Sequence, residues 1–599
     1  MALTAASEHR RDWTLAWAGR LPLGAWCALG VALFAALVFS FDPSRLSTSL
    51  GDTDDATRLV EVRELLGGAP WYDTTLPRFG GFQPLVSHWS RLIDLPLAAL
   101  LSALELILPP EEAELAVRAL WPLLVLAAFV YLMAREVELR GGRAAALLAI
   151  PLTVTCLIGI VQFLPGRIDH HNVIILCAVI GILRLARSFD DPSAGWSAGC
   201  LLGLGTAVGY EALALTTASL GAAMLFGALP RHSLLGPSRA AVTFAATLTI
   251  ALALTTASDA LFVSRCDALS FNLVLLSATG ALVVSLVQAA EERLSSVTKI
   301  ALLAAGGLAG LTLYAFSEPA CLSGPFGQVD PALFPVWLGR VSETQSIVSM
   351  GAKLPHLGGM ALVYFLIGGY CGLRLLQTER NDDLRFHMLV LLIAIPLSFW
   401  QIKLIPYATY LPIPLLAVWL ARPPQQGNAH ASNGAIAAIV LGVLVVIACA
   451  GWLLLSLAEP SARRFKEAVA PNESCESTAA IAPLARLPKG LAVADVNLGP
   501  YLVALTHLDV LAAPYHRLDR QILEADRILH GPPQEAKQRL GAIGARYVVT
   551  CKGLDSTAPQ SPVPADALQS LLNDGEPPEF LEPVPLDAPT PLKVWRVKP

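Results

Sequence analysis

Pro165-Gly166-Arg167-Ile168-Asp169-His170-His171-Asn172 stands wedged between two apolar runs, 144–164 and 171–187, with almost no loop to spare. Ionisable side chains at the edge of hydrocarbon are expensive, about 2.5–3.5 kcal/mol each at mid-bilayer depth, and they are retained where they do chemistry or line a path. A plainer alternative is that the two histidines hydrogen-bond neighbouring helices.

The rest of the 599-residue chain supports a membrane setting, with 54 % hydrophobic and 15 % charged residues and a mean hydropathy of +0.57. A net charge of −5 gives no basic field for nucleic acid, and the sequence carries neither paired zinc-type cysteines nor a Gly-rich loop ending in Lys-Ser/Thr. Nucleic-acid binders, zinc proteins and P-loop ATPases are thereby excluded. Apolar runs able to cross about 30 Å of hydrocarbon fall near 21–41, 113–134, 144–164, 171–187, 196–214, 216–229, 240–262, 269–290, 299–316, 357–376, 386–400, 403–421 and 434–457. The pattern predicts an α-helical polytopic membrane protein of about thirteen transmembrane helices.

Leu92–Leu108 carries Asp94, Pro96 and Glu105 and reads as a helix lying in the interface. With that stretch not crossing, the basic loops holding Arg135, Arg140 and Arg143, Arg184 and Arg187, Arg231 and Arg239, and Arg374, Arg380 and Arg385 all fall on the side of the N-terminus. Basic short loops mark the cytoplasm, so residues 1–20 are expected inside. The outside receives 42–112, the turn at Arg167–His171, 263–268, 317–356 and the chain beyond Leu457. From about 458 to 599 hydropathy falls and alternating runs such as Leu491–Val496 and Arg546–Thr550 appear beside helical stretches 519–530 and 534–543, which predicts a soluble α/β domain.

Three further constellations lie on the outer side. Gly51-Asp52-Thr53-Asp54-Asp55 offers hard oxygen ligands for Mg²⁺ or Mn²⁺, or else a solvated turn. Val341-Ser342-Glu343-Thr344-Gln345 closes the long loop 317–356, and Gln401-Ile402-Lys403 ends a span, where a lysine is ordinarily an interfacial anchor. Carboxylates, an imidazole and a cation gathered on one face suit a departing phosphate.

In order and spacing these elements resemble the catalytic subunit of oligosaccharyltransferase and, more broadly, the GT-C class of membrane glycosyltransferases, over residues 21–457. The resemblance implies a metal held by Asp54, Asp169 and His171, with Asp54 favoured because Arg63 and Leu65 then fall in step and with Asp52 and Asp55 left open. Asp169-His170-His171 matches the archaeal form of the second acidic motif, and Leu338–Glu343 matches a Ser-Val-Ser-Glu motif in its last three residues, with Gln345 agreeing. Lys403 would meet the lipid phosphate where relatives more often use Arg. His170, Arg63, His88 and Arg91 are secondary candidates. The family's Trp-Trp-Asp motif has no counterpart, since none of the 12 Trp residues neighbours another.

The expected function is metal-dependent, inverting transfer of a sugar from a polyprenyl-phosphate or polyprenyl-pyrophosphate donor to a protein, lipid or glycan acceptor on the outer face of a bacterial inner membrane. Asp54 and Glu343 would be catalytic, Mn²⁺ or Mg²⁺ the cofactor, and membrane lipids the surroundings. Alternatives are a lipid A or polysaccharide-modifying GT-C transferase and, from another class, a lipid-linked sugar transporter or flippase without chemistry. Of ten cysteines, Cys266, Cys321, Cys475 and Cys551 lie in polar outer segments. An oxidising compartment would pair Cys266 with Cys321 and Cys475 with Cys551, against four free thiols as the alternative.

Overall fold

The computed structural model describes residues 21–350, 355–379, 381–422, 475–557 and 563–598. The expected inner segment 1–20, the span 434–457 and the boundary at 458 lie outside the described residues. Among the described residues, eight helical stretches are long and apolar enough to cross a membrane: Leu23–Phe41, Pro110–Val154, Leu235–Thr255, Phe271–Ala289, Ser296–Ser317, Leu357–Leu376, Asp382–Trp400 and Ile402–Ala421. The shorter His171–Arg187, Ala194–Val208 and Leu213–Gly227 pack among them. The chain is an integral membrane protein of helical, polytopic build.

Between apolar helices, packing substitutes for a hydrophobic drive, and small residues let backbones approach closely. Ala194–Val208 shows this against Leu235–Thr255: a Cβ on Gly195 would lie 2.3 Å from the Gly236 carbonyl oxygen, and one on Gly199 only 2.0 Å from that of Ala240.

Several expected boundaries are corrected. The runs 113–134 and 144–164 remain two helices, now meeting directly within Pro110–Val154 at a kink at Gly142, whose φ of 73° a side chain would resist. That second run stops ten residues early, at Val154, and continues as a turn, Ile160–Phe163. Gly159 in between lies so close to the Tyr410 ring that a Cβ would come within 2.2 Å. The run 403–421 opens with the turn Ile402–Leu404 and a short helix, Ile405–Ala408, before Pro412–Ala421. The run 196–214 ends at Val208, so Glu211 sits in a break between helices rather than inside a span. Leu92–Leu108 is helical as Arg91–Glu105, but its Asp94 is buried against Arg58 and Arg91 instead of facing a polar interface.

The C-terminal region carries a five-stranded sheet. β1 (Thr75–Leu76) and β2 (Leu85–Val86) form a small hairpin between Leu23–Phe41 and Pro110–Val154; β3 (Leu491–Ala494), β4 (Asp509–Val510), β5 (Tyr547–Cys551), β6 (Leu581–Pro583) and β7 (Leu592–Val597) make the larger sheet in the order β4-β3-β5-β7-β6. β3 runs parallel to β4 and β5, and β7 is antiparallel to both its neighbours. Helices Asp519–His530 and Pro533–Ala542 accompany it.

This region is seated on the segment that follows Leu23–Phe41. The Gly80 amide donates to the Val510 carbonyl and the Val510 amide to that of Arg78, each at 2.9 Å, so the loop extends the sheet beyond β4. Arg78 donates to the carbonyls of Val503, Thr506 and Leu508. The Tyr515 hydroxyl bridges the Thr53 carbonyl oxygen at 3.0 Å and Thr57 Oγ1 at 2.6 Å.

Candidate active site

The helix Thr53–Leu66 begins with a reciprocal cap. Asp52 Oδ1 accepts from the amides of Asp54 and Asp55, while Asp55 Oδ2 accepts from the Asp52 amide. This satisfies orphan donors at the helix start and occupies two of the three neighbouring acids. Asp54 is left to face a cavity of about 310 Å³.

The stretch 165–172 is bolted to the same helix start. Asp55 Oδ1 accepts from the amides of Ile168 and Asp169 at 2.7 and 3.0 Å, and the Arg167 guanidinium is shared among Asp52, Asp55 and Asp169. The three carboxylates that could hold a metal here therefore already surround a cation. Asp169, fully buried, also accepts from the His171 amide at 3.0 Å. Its carboxylate pairs with Arg167, and Asp169 is not among the residues that line the cavity.

His170 and His171, consecutive at a helix start, both reach the cavity. His171 Nε2 is 3.9 Å from Asp54 Oδ2, and His170 Nε2 is 2.9 Å from Glu211 Oε1. Glu343 enters on the turn Ser342–Thr344 and Lys403 on Ile402–Leu404; the Ile402 amide donates to the Gln345 carbonyl at 3.0 Å and joins the two turns. Asp54, His171, Glu343 and Lys403, from four separate segments, thus line one cavity. Burial, reinforced by the carboxylates of Asp52 and Glu343, holds the Asp54 carboxyl well above the usual range, with His171 acting in the opposite direction.

The C-terminal region supplies another wall through Tyr515 and His516. His516 Nε2 lies 2.7 Å from Asp267 Oδ2, and Arg517 grips both oxygens of that carboxylate at 2.6 and 2.8 Å. Against burial, these hydrogen bonds hold Asp267 well below the ordinary carboxylate range. The His88 ring packs 4.7 Å from that of His516, and burial with the neighbouring His516 pushes His88 well down. Cys266 is disulfide-bonded to Cys321, with Cα atoms 4.9 Å apart, which ties the Asp267 loop to 317–356. Cys475 and Cys551 form a second disulfide, at 6.3 Å between Cα atoms.

Two secondary candidates stand elsewhere. Arg63 pairs with Glu114 and donates to the Ala504 carbonyl, holding the C-terminal region to the helical part. Arg91 is buried against Asp94 and the Trp71 carbonyl. Conversely, Glu211, Asp267 and Trp337 line the cavity without having stood out as site residues in the sequence.

The helical bundle with its cavity and seated α/β region has the fold of the GT-C class and resembles the catalytic subunit of oligosaccharyltransferase. The archaeal oligosaccharyltransferase AglB from Archaeoglobus fulgidus, solved with an inhibitory peptide and a dolichol-phosphate, is similar at a TM-score of 0.63 and 13 % identity, over 88 % of this chain and 69 % of that one. The Archaeoglobus fulgidus oligosaccharyltransferase in the apo form, and tethered to an acceptor peptide with an NVT sequon, gives TM-scores of 0.57 and 0.58 at 14 % identity over the same shares. No protein-family model and no curated protein matches the chain.

Proposed function

We propose that the chain is an inverting glycosyltransferase that moves a sugar from a polyprenyl-phosphate or polyprenyl-pyrophosphate donor to an acceptor on the outer face of a bacterial inner membrane. The observation that carries this reading is the gathering of Asp54, His171, Glu343 and Lys403 into one cavity beneath the α/β region, on a GT-C fold. The similar archaeal enzyme, solved with a dolichol-phosphate and a peptide, supports a lipid-linked donor.

The donor set suits a divalent cation. Two ligands each about 2.1 Å from one ion lie at most about 4.2 Å apart, and Asp54 Oδ2 and His171 Nε2 are 3.9 Å apart. Asp54 is moreover a carboxylate whose charge is poorly tolerated as it stands. Asp54 and His171 would hold Mn²⁺ or Mg²⁺, with Asp169 joining them by releasing Arg167; an imidazole in the set favours Mn²⁺. When bound, such an ion supplies positive charge to the departing phosphate.

The chain's own groups do the rest. Lys403 presents its ammonium to the same phosphate, so the anomeric C–O bond breaks with its electron pair going to the lipid phosphate. Glu343 takes the proton from the acceptor as that group bonds the anomeric carbon from the opposite face, which inverts configuration. Glu343→Gln keeps the hydrogen bond and loses the base, and transfer is expected to fall about 10²–10⁴-fold. Rapid-quench measurement of the chemical step reads this; an unchanged rate removes Glu343 from that role.

The 458–599 region is read as an accessory unit that shapes acceptor access through Tyr515 and His516. Placing it outside follows from the basic inner loops and agrees with the two disulfides. Reporter fusions after Gly142 and after Pro460 are expected on opposite sides of the membrane, and the same side for both refutes the orientation. Single-turnover transfer from a radiolabelled lipid-linked donor, with Mn²⁺ titrated in, tests the activity. Movement of intact donor across vesicles without a glycosylated product would instead establish the transport alternative.

A further inference from the structure

The break between Ala194–Val208 and Leu213–Gly227 brings one more carboxylate into the cavity. Glu211 Oε1 lies 2.9 Å from His170 Nε2, whereas Glu211 Oε2 is buried and has no hydrogen-bond partner among the described residues. His170 Nδ1, on a side chain only 3 % exposed, is likewise without one. Buried polar atoms are nearly always satisfied, so an orphaned carboxylate oxygen beside two imidazoles asks for a partner. One oxygen of Glu211 and a ring nitrogen from each of His170 and His171 lie within 4.8 Å of one another.

The local backbone is built for this approach. A Cβ on Gly209 would come 2.5 Å from Glu211 Oε2 and 3.1 Å from the His170 ring, so a larger residue would displace the carboxylate. Tyr210 donates its hydroxyl to the Ala268 carbonyl at 2.7 Å, anchoring the break to the loop that Cys266–Cys321 secures. The contrast with the other acidic cluster is informative. Asp52, Asp55 and Asp169 already enclose the Arg167 guanidinium, while Glu211, among the described residues, meets only the His170 imidazole at hydrogen-bonding distance.

We infer that Glu211 is a ligand of the divalent cation assigned above to Asp54 and His171, binding through Oε2 while His170 holds Oε1. The inference rests on the proposed metal-dependent reading of this cavity. A metal-bound carboxylate with its second oxygen hydrogen-bonded is the usual arrangement of such ligands, and the hydrogen bond fixes its direction. Glu211 also brings the negative charge that an Asp54–His171 pair lacks for holding a dication beside an anionic phosphate.

The test is Mn²⁺ binding to the full-length protein in detergent, followed by loss of the free-ion electron paramagnetic resonance signal, without donor or acceptor. Glu211→Gln, equal in size, is expected to weaken Mn²⁺ binding by at least 10-fold, as is Asp54→Asn, while His170→Gln weakens it by less than Glu211→Gln does. The variants' unfolding temperatures without metal, matched to the parent, confirm that the fold is kept. Wild-type affinity in Glu211→Gln with weakened binding in Asp54→Asn overturns the inference and leaves the proposed function standing. A loss in His170→Gln as large as that in Glu211→Gln also overturns it, since the carboxylate would then act through the histidine. Unchanged affinity in both Asp54→Asn and Glu211→Gln removes the metal site itself, and the inference with it.

Discussion

Asp54→Ala is expected to lower single-turnover sugar transfer by about 10³-fold or more, with the protein still inserted and folded, and chelation is expected to abolish transfer in the parent. The reason lies in how the three neighbouring acids are used. Asp52 and Asp55 cap the helix Thr53–Leu66 and hold Arg167, so their charges are committed to structure. Asp54 makes no such bond through its side chain to that cap, faces the cavity and stands 3.9 Å from His171. Its removal therefore takes away a metal-facing oxygen and leaves the helix start intact. Asp52→Asn should divide the other way, lowering unfolding temperature more than turnover. His171→Asp is expected to retain activity, because a carboxylate can take the same coordination place. These variants are compared at saturating donor with Mn²⁺ titrated; an Asp54→Ala enzyme of parental rate would reduce the cavity to a polar membrane edge.

How much of this was legible beforehand depends on the range of the interaction. Asp169-His170-His171 between two apolar runs marked the cavity from local sequence alone, because charge beside hydrocarbon is costly wherever the chain goes. The α/β character of the C-terminal region was equally local, with β3, β5 and the helix Asp519–His530 falling where alternation and amphipathic spacing put them. Arg167 was less transparent. Nothing near it in sequence announces that it gathers acids 112 to 115 residues away, since that follows from docking two segments. Glu211 falls within the apolar run 196–214, yet its place in the cavity wall depends on the helix stopping at Val208 and the backbone turning extended at Gly209. The salt-bridged Asp267–Arg517 pair joins residues 250 apart, and no local pattern encodes it. Span lengths failed where the backbone turned inside an apolar run, as in 144–164, where the helix ends at Val154 and Gly159 then packs against the Tyr410 ring.

Arg58→Met is expected to destabilise the protein by about 3–5 kcal/mol, the largest loss anticipated for a residue outside the cavity's ion-binding set. Arg58 is fully buried, its Nη1 2.7 Å from Glu61 Oε2 and paired also with Asp94, whose other oxygen accepts from Arg91 at 3.0 Å. Two arginines and two carboxylates thus balance in a dry site, and deleting one cation leaves a carboxylate that cannot be hydrated. Burial already pushes the Glu61 carboxyl up to about 7, with Arg58 working to lower it. A carboxyl raised above its ordinary 4.5 stabilises the fold most below that pH and loses the contribution as pH rises through 7, so stability falls across this window. Without Arg58 the group is raised further, and the deficit of Arg58→Met is expected to be smaller at pH 5 than at pH 8. Glu61→Gln in the Arg58→Met background removes the stranded charge and should recover part of the loss at pH 8, a coupling that a double-mutant cycle isolates. The guanidinium also lies 4.7 Å from the centre of the Trp89 ring, which packs 5.3 Å from both His170 and Tyr515. The network therefore supports the wall of the cavity, and the stability loss should be accompanied by weaker donor binding more than by slower chemistry. Denaturant unfolding in detergent at the two pH values, read beside the KM for donor, checks the argument; a deficit below about 1 kcal/mol that ignores pH would show that Arg58 is hydrated and the network unimportant.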